Sequence, residues 1–362
     1  MKKVKKKKII RKTSVDKVTD ELKKMVQAKP KKKKDILLIP TGSTILNLEC
    51  SGSIDGAFQC GKLTNIIGDS SSGKSLLALT ALAECAITPA FDKYRLIYDD
   101  VEAANEFDIT EIFSQTVEDR IVLYRSRTIE DFNDNVAKLL EAKVPFIYIN
   151  DSFDALTSEA FQALDISNRK SRDKGDSVSG SYGDGKAKIF SDFCKNRIQD
   201  LKDTKSALLV ISQTRDNLGF GAKFTPKVRA GGKALKFYAC HEIWLSMKKQ
   251  TKKLNKIVVS DVCAKISKNK LTGNRGEAEF PILRGYGVDD LISCITYLTK
   301  IGNWSGPANS INTKGFIPEK ISRNKLIEYI EQNDKENEIK QLCQDAFNEL
   351  LEQLKPNRKQ KY

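Results

Sequence analysis

The sequence predicts an α/β protein: a mostly parallel central sheet with added antiparallel strands, a basic helical arm before it and a small helical region after it. Three observations predict this. From about Ile36, short β-rich apolar runs alternate with stretches of helical spacing, as in a parallel sheet covered on both faces. Past Gly232 the helical spacing stops and strand-like runs succeed one another, as in an antiparallel meander. Charge marks the beginning of the chain: Met1 to Lys12 carries eight basic residues and no acid, and a second run, Lys31 to Lys34, follows Pro30.

The elements follow in order. Between the basic runs, Val15, Val18, Leu22, Met25 and Val26 share one helical face, with Ser14 as the cap. So short a helix is marginal alone, so the arm needs a partner surface; a solvated tail is the plainer reading of residues 1–12. Leu63–Ile67 is a strand and Ser75–Cys85 a Leu- and Ala-rich helix. Tyr94–Tyr98 and Ile121–Tyr124 are strands, Ile129–Glu141 a helix, and Pro145–Asn150 another strand. Ile189, Phe190, Phe193, Cys194 and Ile198 make an apolar stripe at helical spacing before the strand Ala207–Ile211. Glu242–Met247, Ile257–Ser267 and Ala278–Leu283 form the meander, and a helical region over 289–355 is broken by Gly302, Gly306 and Gly315. The basic end from Lys355 to Tyr362 frays. The division is therefore an arm (1–35), a core (36–288) and a small helical domain (289–362).

Composition excludes several classes. At 362 residues and 40 % hydrophobic, the chain has material for a sizeable core. The net charge of +15 favours a polyanionic partner, nucleic acid or anionic membrane. No apolar run approaches the roughly 18 residues that a membrane span needs, and no apolar stretch follows the first lysines to make a secretory signal. The eight cysteines are scattered and form no CxxC pair, which suits reduced thiols in a cytoplasmic protein. The single histidine, His241, excludes multi-histidine metal sites and reads as a packed or surface residue rather than a ligand; Trp244 and Trp304 read as core or interface anchors.

The strongest chemical signal is a phosphate loop. Gly68-Asp69-Ser70-Ser71-Ser72-Gly73-Lys74-Ser75 matches G-x-x-x-x-G-K-[ST], directly after a strand and directly before a helix. The glycines permit the tight wrap, backbone N–H groups surround a β-phosphate, and the helix N-terminus adds partial positive charge. Lys74 reaches the β- and γ-phosphates and Ser75 holds Mg²⁺, so the reading is a nucleoside triphosphate site. Asp151 ends the buried strand Phe146-Ile147-Tyr148-Ile149-Asn150 and supplies the second metal ligand. Tyr98-Asp99-Asp100-Val101-Glu102 places three carboxylates just after another strand, candidates to orient an attacking water. Ser212-Gln213-Thr214 closes the fourth strand, where the Gln213 amide can sense a γ-phosphate.

Gly231-Gly232-Lys233-Ala234-Leu235-Lys236-Phe237-Tyr238-Ala239 is similar, almost residue for residue, to a segment of the RecA-family recombinases. So are Ile266-Ser267-Lys268-Asn269-Lys270 and Glu277-Ala278-Glu279-Phe280-Pro281-Ile282-Leu283. Pro40-Thr41-Gly42-Ser43 resembles the start of that family's ATPase core, and Lys300-Ile301-Gly302-Asn303-Trp304 a stretch of its C-terminal domain. The resemblance runs in order over roughly residues 36–310, and the basic arm looks more like the phage versions. It implies a RecA-like P-loop ATPase core binding ATP with Mg²⁺ between protomers of a helical filament on single-stranded DNA, which pairs and exchanges strands with homologous duplex. Residue by residue it implies that Gly68, Ser70, Ser72, Gly73, Lys74 and Ser75 bind ATP, that Ser75 and Asp151 hold Mg²⁺, and that Gln213 is the γ-phosphate switch. Asp100-Val101-Glu102 matches the family's Asp-x-Glu, making Glu102 the base, with Asp100 the runner-up because an extra acid, Asp99, precedes it. Lys268 and Lys270 match lysines that reach a neighbour's phosphates, and Phe237 an interface aromatic. Ser212 stands where the family usually has Asn.

Two segments read as DNA-binding loops. The first, about Ser167 to Lys188, carries Arg169, Lys170, Arg172, Lys174, Tyr182, Lys186 and Lys188 among Ser and Gly. The second, Arg215 to Arg229, interleaves Arg215, Lys223, Lys227 and Arg229 with Phe220 and Phe224, pairing phosphate contacts with rings that stack on bases. An ordinary surface insertion is the plainer alternative for each. Together these features predict an ATP-dependent strand-exchange protein of recombination and repair, cytoplasmic (in a bacterial host if phage-encoded), acting on single- and double-stranded DNA with itself, and with single-strand-binding and loader proteins. The alternatives are a nucleotide-gated DNA filament or mediator protein with little turnover, kept open by Asp99 and Ser212, and a hexameric helicase sharing the core.

Overall fold

A computed structural model of the chain describes residues 36–103, 108–174, 185–216, 227–229 and 232–358. Leu38 to Tyr362 forms one compact unit; of the preceding unit, Met1 to Leu37, only Ile36 and Leu37 are described, so the basic arm and its helix lie outside the described residues. The tip of the second basic segment, with Phe220, Lys223 and Phe224, and Tyr182 of the first lie outside them too.

Leu38–Ile39 (β1) and Phe58–Gln59 (β2) pair antiparallel around the helix Thr44–Ser51 (α1), which Ser43 caps through Leu46 N. Then come Leu63–Gly68 (β3), Lys74–Ile87 (α2), Arg95–Asp100 (β4), the short helices Ile109–Ile112 (α3) and Gln115–Arg120 (α4), and Ile121–Tyr124 (β5). A capping box of Thr128 and Asp131 starts Ile129–Glu141 (α5). Phe146–Asp151 (β6), Glu159–Asp173 (α6), Lys186–Thr204 (α7), Ala207–Asp216 (β7), Lys227–Arg229 (β8) and Gly232–Tyr238 (α8) follow. His241–Lys253 (β9), Lys256–Asn269 (β10), Glu277–Leu283 (β11) and Gly287–Val288 (β12) precede the helices Asp290–Lys300 (α9), Arg323–Gln332 (α10) and Glu336–Gln353 (α11).

Among the described residues ten strands make one sheet in the order β12-β11-β10-β9-β3-β7-β6-β4-β5, with β8 added to β7. From β9 to β5 every pairing is parallel; from β9 to β12 every pairing is antiparallel. The buried strands are continuous Leu, Ile, Phe and Tyr runs because helices cover both faces. Leu63, Ile97, Phe132, Phe146, Tyr148, Phe190 and Leu208 pack in one of the core clusters. The parallel register decides where the chemistry sits. It places Gly68 beside Gln213 and Asp100 beside Asp151, so the carboxyl ends of β3, β4, β6 and β7 share one edge.

The α/β class, the strands and the meander are as the sequence predicts, with four corrections. Helical structure does not stop at Gly232: α8 continues to Tyr238, since Lys-Ala-Leu-Lys are good helix formers and Leu235 buries itself in the core. Asp99 and Asp100 belong to β4 rather than to a loop after it, because Asp99 finds buried partners. The first basic segment does not begin as a loop at Ser167. Ser158 caps α6, which runs to Asp173 and so carries Arg169, Lys170 and Arg172; Lys186 and Lys188 open α7. The second segment begins and ends as strand, with Arg215 on β7 and Lys227 and Arg229 on β8.

Candidate nucleotide site

The loop between β3 and α2 has the backbone that its glycines were expected to allow. Gly73 sits at φ 90°, and a side chain there would lie 2.7 Å from Ile282 Cδ1. A Cβ on Gly68 would meet Ser72 Oγ at 2.5 Å and the Leu245 carbonyl at 2.7 Å. Ser72 Oγ is buried and has no hydrogen-bond partner among the described residues. A phosphate oxygen would satisfy it, so the cradle fits the group it was read to hold. Lys74 is buried, and its Nζ donates to the Asp69 carbonyl at 2.6 Å. Burial pulls its pKa down, while Asp151, Glu102, Asp69 and Asp154 around it favour the charged form.

Asp151 lies at the end of β6, buried, and accepts from Tyr98 Oη at 2.6 Å. Burial raises its pKa; hydrogen bonds from Ser75 and Tyr98 act the other way. Ser75 hydroxyl and Asp151 carboxylate are thus neighbours, two hard oxygen donors of the kind Mg²⁺ takes alongside phosphate and water. Among the described residues no three His, Cys, Asp or Glu side chains cluster into a metal cage. A cation here would therefore draw its remaining ligands from a substrate and from water.

Strand alternation separates Asp99 from Asp100, and Glu102 lies in the turn just past β4. Asp99 is fully buried and accepts from Ser126 N at 2.8 Å, Tyr148 Oη at 2.7 Å and Asn150 Nδ2 at 3.2 Å. It is a satisfied core carboxylate, which answers the crowding that the sequence presented. Asp100 lines a cavity with Leu79, Tyr98, Thr110 and Arg125. Glu102 turns elsewhere: its Oε1 accepts from Ser152 Oγ at 2.6 Å and from Gln213 Nε2 at 2.9 Å. Gln213 is fixed from behind, its N–H donating to Asp154 Oδ2 at 2.7 Å. Ser212, one residue back, is buried and donates to Asn65 Oδ1 at 2.9 Å on the adjacent strand.

The remaining candidates lie farther out. Arg169 pairs with Asp165 one turn back on α6, and Lys170, Arg172, Lys174 and Arg215 are exposed. Lys186 Nζ instead donates to the carbonyls of Phe153 (3.3 Å), Asp154 (3.1 Å) and Leu156 (2.8 Å) and lies over the Phe153 ring. It braces the turn after β6. Lys227 reaches back to Asp69 of the phosphate loop. Lys268 donates to the carbonyls of Lys236 and Phe237, and Lys270 to Phe237 at 3.0 Å, with its ammonium 5.7 Å from that ring's centroid. Phe237 itself is 69 % exposed. Ser152 and Asp154 were missed in the sequence; their place one and three residues after Asp151, at a strand end, was the available signal. Of the two places open to His241, packed or surface, the structure shows the packed one: it is buried beside the Cys50 carbonyl, its pKa pushed down to about 4 by burial.

Comparison with known proteins decides the family. The model of the RecA N-terminal domain matches residues 10–289. The chain belongs to the RecA family. It is 28 % identical over 326 residues to Protein RecA of Caldanaerobacter subterraneus subsp. tengcongensis, covering 84 % of this chain and 86 % of that one. Protein RecA of Bacteroides thetaiotaomicron is 26 % identical over 280 residues (74 % and 76 %), and that of Colwellia psychrerythraea 28 % over 285 (75 % and 74 %). Membership makes the chain a RecA-like recombinase in the broad sense, a P-loop ATPase of DNA recombination and repair, and its ten-stranded sheet is a RecA-like core. Among the described residues no helix is long and apolar enough to cross a membrane.

Proposed function

We propose that this protein is an ATP-dependent strand-exchange protein that assembles as a helical filament on single-stranded DNA and pairs it with homologous duplex. One observation carries the reading: the Gln213 amide touches Glu102 beside the phosphate loop, and one residue later the same strand enters the basic β7–β8 hairpin. A nucleotide-sensing group and a DNA-facing segment thus share one rigid element.

In this mechanism Lys74 and the loop N–H groups bind the triphosphate; Ser75 and Asp151 would hold Mg²⁺, which when bound would supply charge neutralisation at the phosphates. Glu102 takes the proton of the attacking water, and Gln213 and Ser152 hold its carboxylate in place. Asp100 is the weaker choice of base, since Glu102 is the acid that the Gln213 amide contacts, while Asp100 lines a cavity with Leu79, Thr110 and Arg125. Gln213 exchanges Glu102 for the γ-phosphate. Lys268 and Lys270 leave the end of α8 to reach the next protomer's phosphates, with Phe237 at the same interface. Arg169, Lys170, Arg172, Lys174, Arg215 and Arg229 face DNA with the segments outside the described residues. The division into arm, core and C-terminal helical domain belongs to the same proposal.

The low-turnover alternative rested on Asp99 and Ser212, and packing accounts for both. D-loop formation with a homologous tailed oligonucleotide, run beside unwinding of a forked duplex and single-strand-stimulated ATPase, separates the readings. Unwinding without pairing would select the helicase; DNA binding without turnover, the mediator.

A further inference from the structure

The phosphate loop carries a carboxylate of its own. Asp69, its second residue, is half exposed and accepts from Thr214 Oγ1 on one oxygen and from Lys227 Nζ on the other. Thr214 lies on β7 one residue beyond Gln213, and Lys227 opens β8, paired with Asp216 across the hairpin. The same residue's main-chain carbonyl receives Lys74 Nζ. Asp69 therefore touches the cation meant for a polyphosphate and the first described cation on the returning arm of the basic hairpin. The two donors, Lys227 first, hold its carboxyl below the usual range.

We propose that Asp69 is a built-in competitor for Lys227: it keeps this lysine on the phosphate loop and off DNA, which makes the loop and this DNA contact antagonistic. The proposal rests on the reading of the β7–β8 hairpin as DNA-facing. A lysine has one ammonium to neutralise one nearby anion, so a DNA phosphate gains it only when Asp69 loses it. Once Lys227 goes to DNA, the Asp69 carboxylate stands uncompensated beside whatever polyphosphate occupies the loop, and repels it. By linkage the antagonism is reciprocal: a polyphosphate weakens DNA at Lys227 by the factor that DNA there weakens the polyphosphate. Both partners are about half exposed, so the competition is modest, of the size of a surface ion pair.

The test measures binding of an oligothymidine to wild type, Asp69→Asn, Lys227→Gln and the double variant across a salt series, without nucleotide. Asp69→Asn should bind about 2- to 5-fold tighter, the equivalent of a surface ion pair. It should also gain one phosphate contact, steepening the slope of log K against log salt by about 0.7. Lys227→Gln and the double variant should match each other, because without the lysine there is nothing to release. A fluorescent triphosphate analogue gives the converse readout: saturating oligothymidine should tighten its binding less in wild type than in Asp69→Asn. The proposal is overturned if Asp69→Asn keeps the wild-type affinity and slope, or if the double variant gains as much as Asp69→Asn. Wild type that binds no oligothymidine overturns the DNA-facing reading and this one together. Wild type that binds, with an unchanged Asp69→Asn, overturns the competitor alone.

Discussion

Replacing Glu102 by Gln isolates the proposed base from everything else at the site. The carboxylate oxygen that accepts from Ser152 and Gln213, at 2.6 and 2.9 Å, becomes an amide carbonyl of the same reach, and both donors keep a partner. Folding should hardly notice, since the change is isosteric and no hydrogen bond at that oxygen is lost. What disappears is proton acceptance. A positioned general base contributes about 10²- to 10⁴-fold, so turnover should fall by that factor, roughly 3–5 kcal/mol of barrier. Nucleotide and DNA affinity should stay within a few-fold, because Lys74, Ser75 and Asp151 are untouched.

The assay is steady-state ATPase with and without single-stranded DNA, beside DNA binding in the presence of ATP. Bound DNA should dissociate more slowly in the variant, as the triphosphate persists. Asp100→Asn is the control, and its cavity site predicts a smaller loss of turnover. If Asp100→Asn loses turnover a hundredfold while Glu102→Gln does not, the base is Asp100 and the role given to the Gln213–Glu102 contact is wrong.

Further predictions test other parts of the reading. Lys74→Ala should abolish ATP-dependent tight DNA binding; ATP-stimulated strand exchange by this variant would sink the assignment. Lys268→Ala/Lys270→Ala should lose hydrolysis yet stay folded, since losing two cations at a helix C-terminus costs less than about 2 kcal/mol. Mixing it with Lys74→Ala should restore part of the ATPase if the lysines act on a neighbour, and absence of recovery in crosslinked mixed filaments refutes that. Lys186→Ala should destabilise by about 1–3 kcal/mol, as three carbonyls lose their donor, with the salt dependence of DNA binding unchanged; a shallower slope would return Lys186 to the DNA surface. Stability against pH tests two separate groups, the buried His241 and the partly buried Glu49, at about 4 and about 7 through burial. His241 is depressed in the fold, so its contribution is lost as pH falls from 6.5 toward 4, while Glu49 is raised and its contribution is lost as pH rises from 4.5 through 7. The two slopes oppose between pH 4.5 and 6.5; Glu49→Gln should therefore lose stability on acidification more steeply than wild type, by up to about 1.4 kcal/mol per pH unit in urea unfolding. Parallel curves for the two proteins would refute this.

How much of this was legible depended on whether a signal was local. The phosphate loop, Asp151 and Gln213 each sit at the end of a continuous apolar run, and a loop, a strand and a helix in immediate succession leave little freedom in their placement. The second half of α6 was not legible because its apolar residues stop at Ile166, and the polar and charged run from Ser167 to Asp173 carries no apolar stripe. Ser152 and Asp154 were hidden because the turn at Phe153–Ala155 breaks the two-residue period just where they occur. The role of Asp99 required knowing that Tyr148 and Asn150 lie on the neighbouring strand, and the partner of Asp69 lies 158 residues away. Such pairings follow from sheet register, which no local pattern contains.

The end of β7 is where these parts meet. Alternation along the strand buries Ser212 against Asn65, and the next two side chains reach Glu102 and Asp69. Arg215 is already exposed, and the return strand brings Lys227 back to the same loop. A strand hydrogen-bonded to β3 and β6 does not bend freely at one residue, so a shift that moves the Gln213 amide by the length of a hydrogen bond also moves Thr214 and Arg215. On the proposed reading this couples two contacts of opposite sense. Gln213 leaving Glu102 for a γ-phosphate draws the strand toward the nucleotide, whereas Asp69 holding Lys227 opposes DNA on the hairpin. Two opposing contacts on one rigid strand favour a device with two arrangements over one that slides, because a partial shift loses one set of hydrogen bonds before gaining the other.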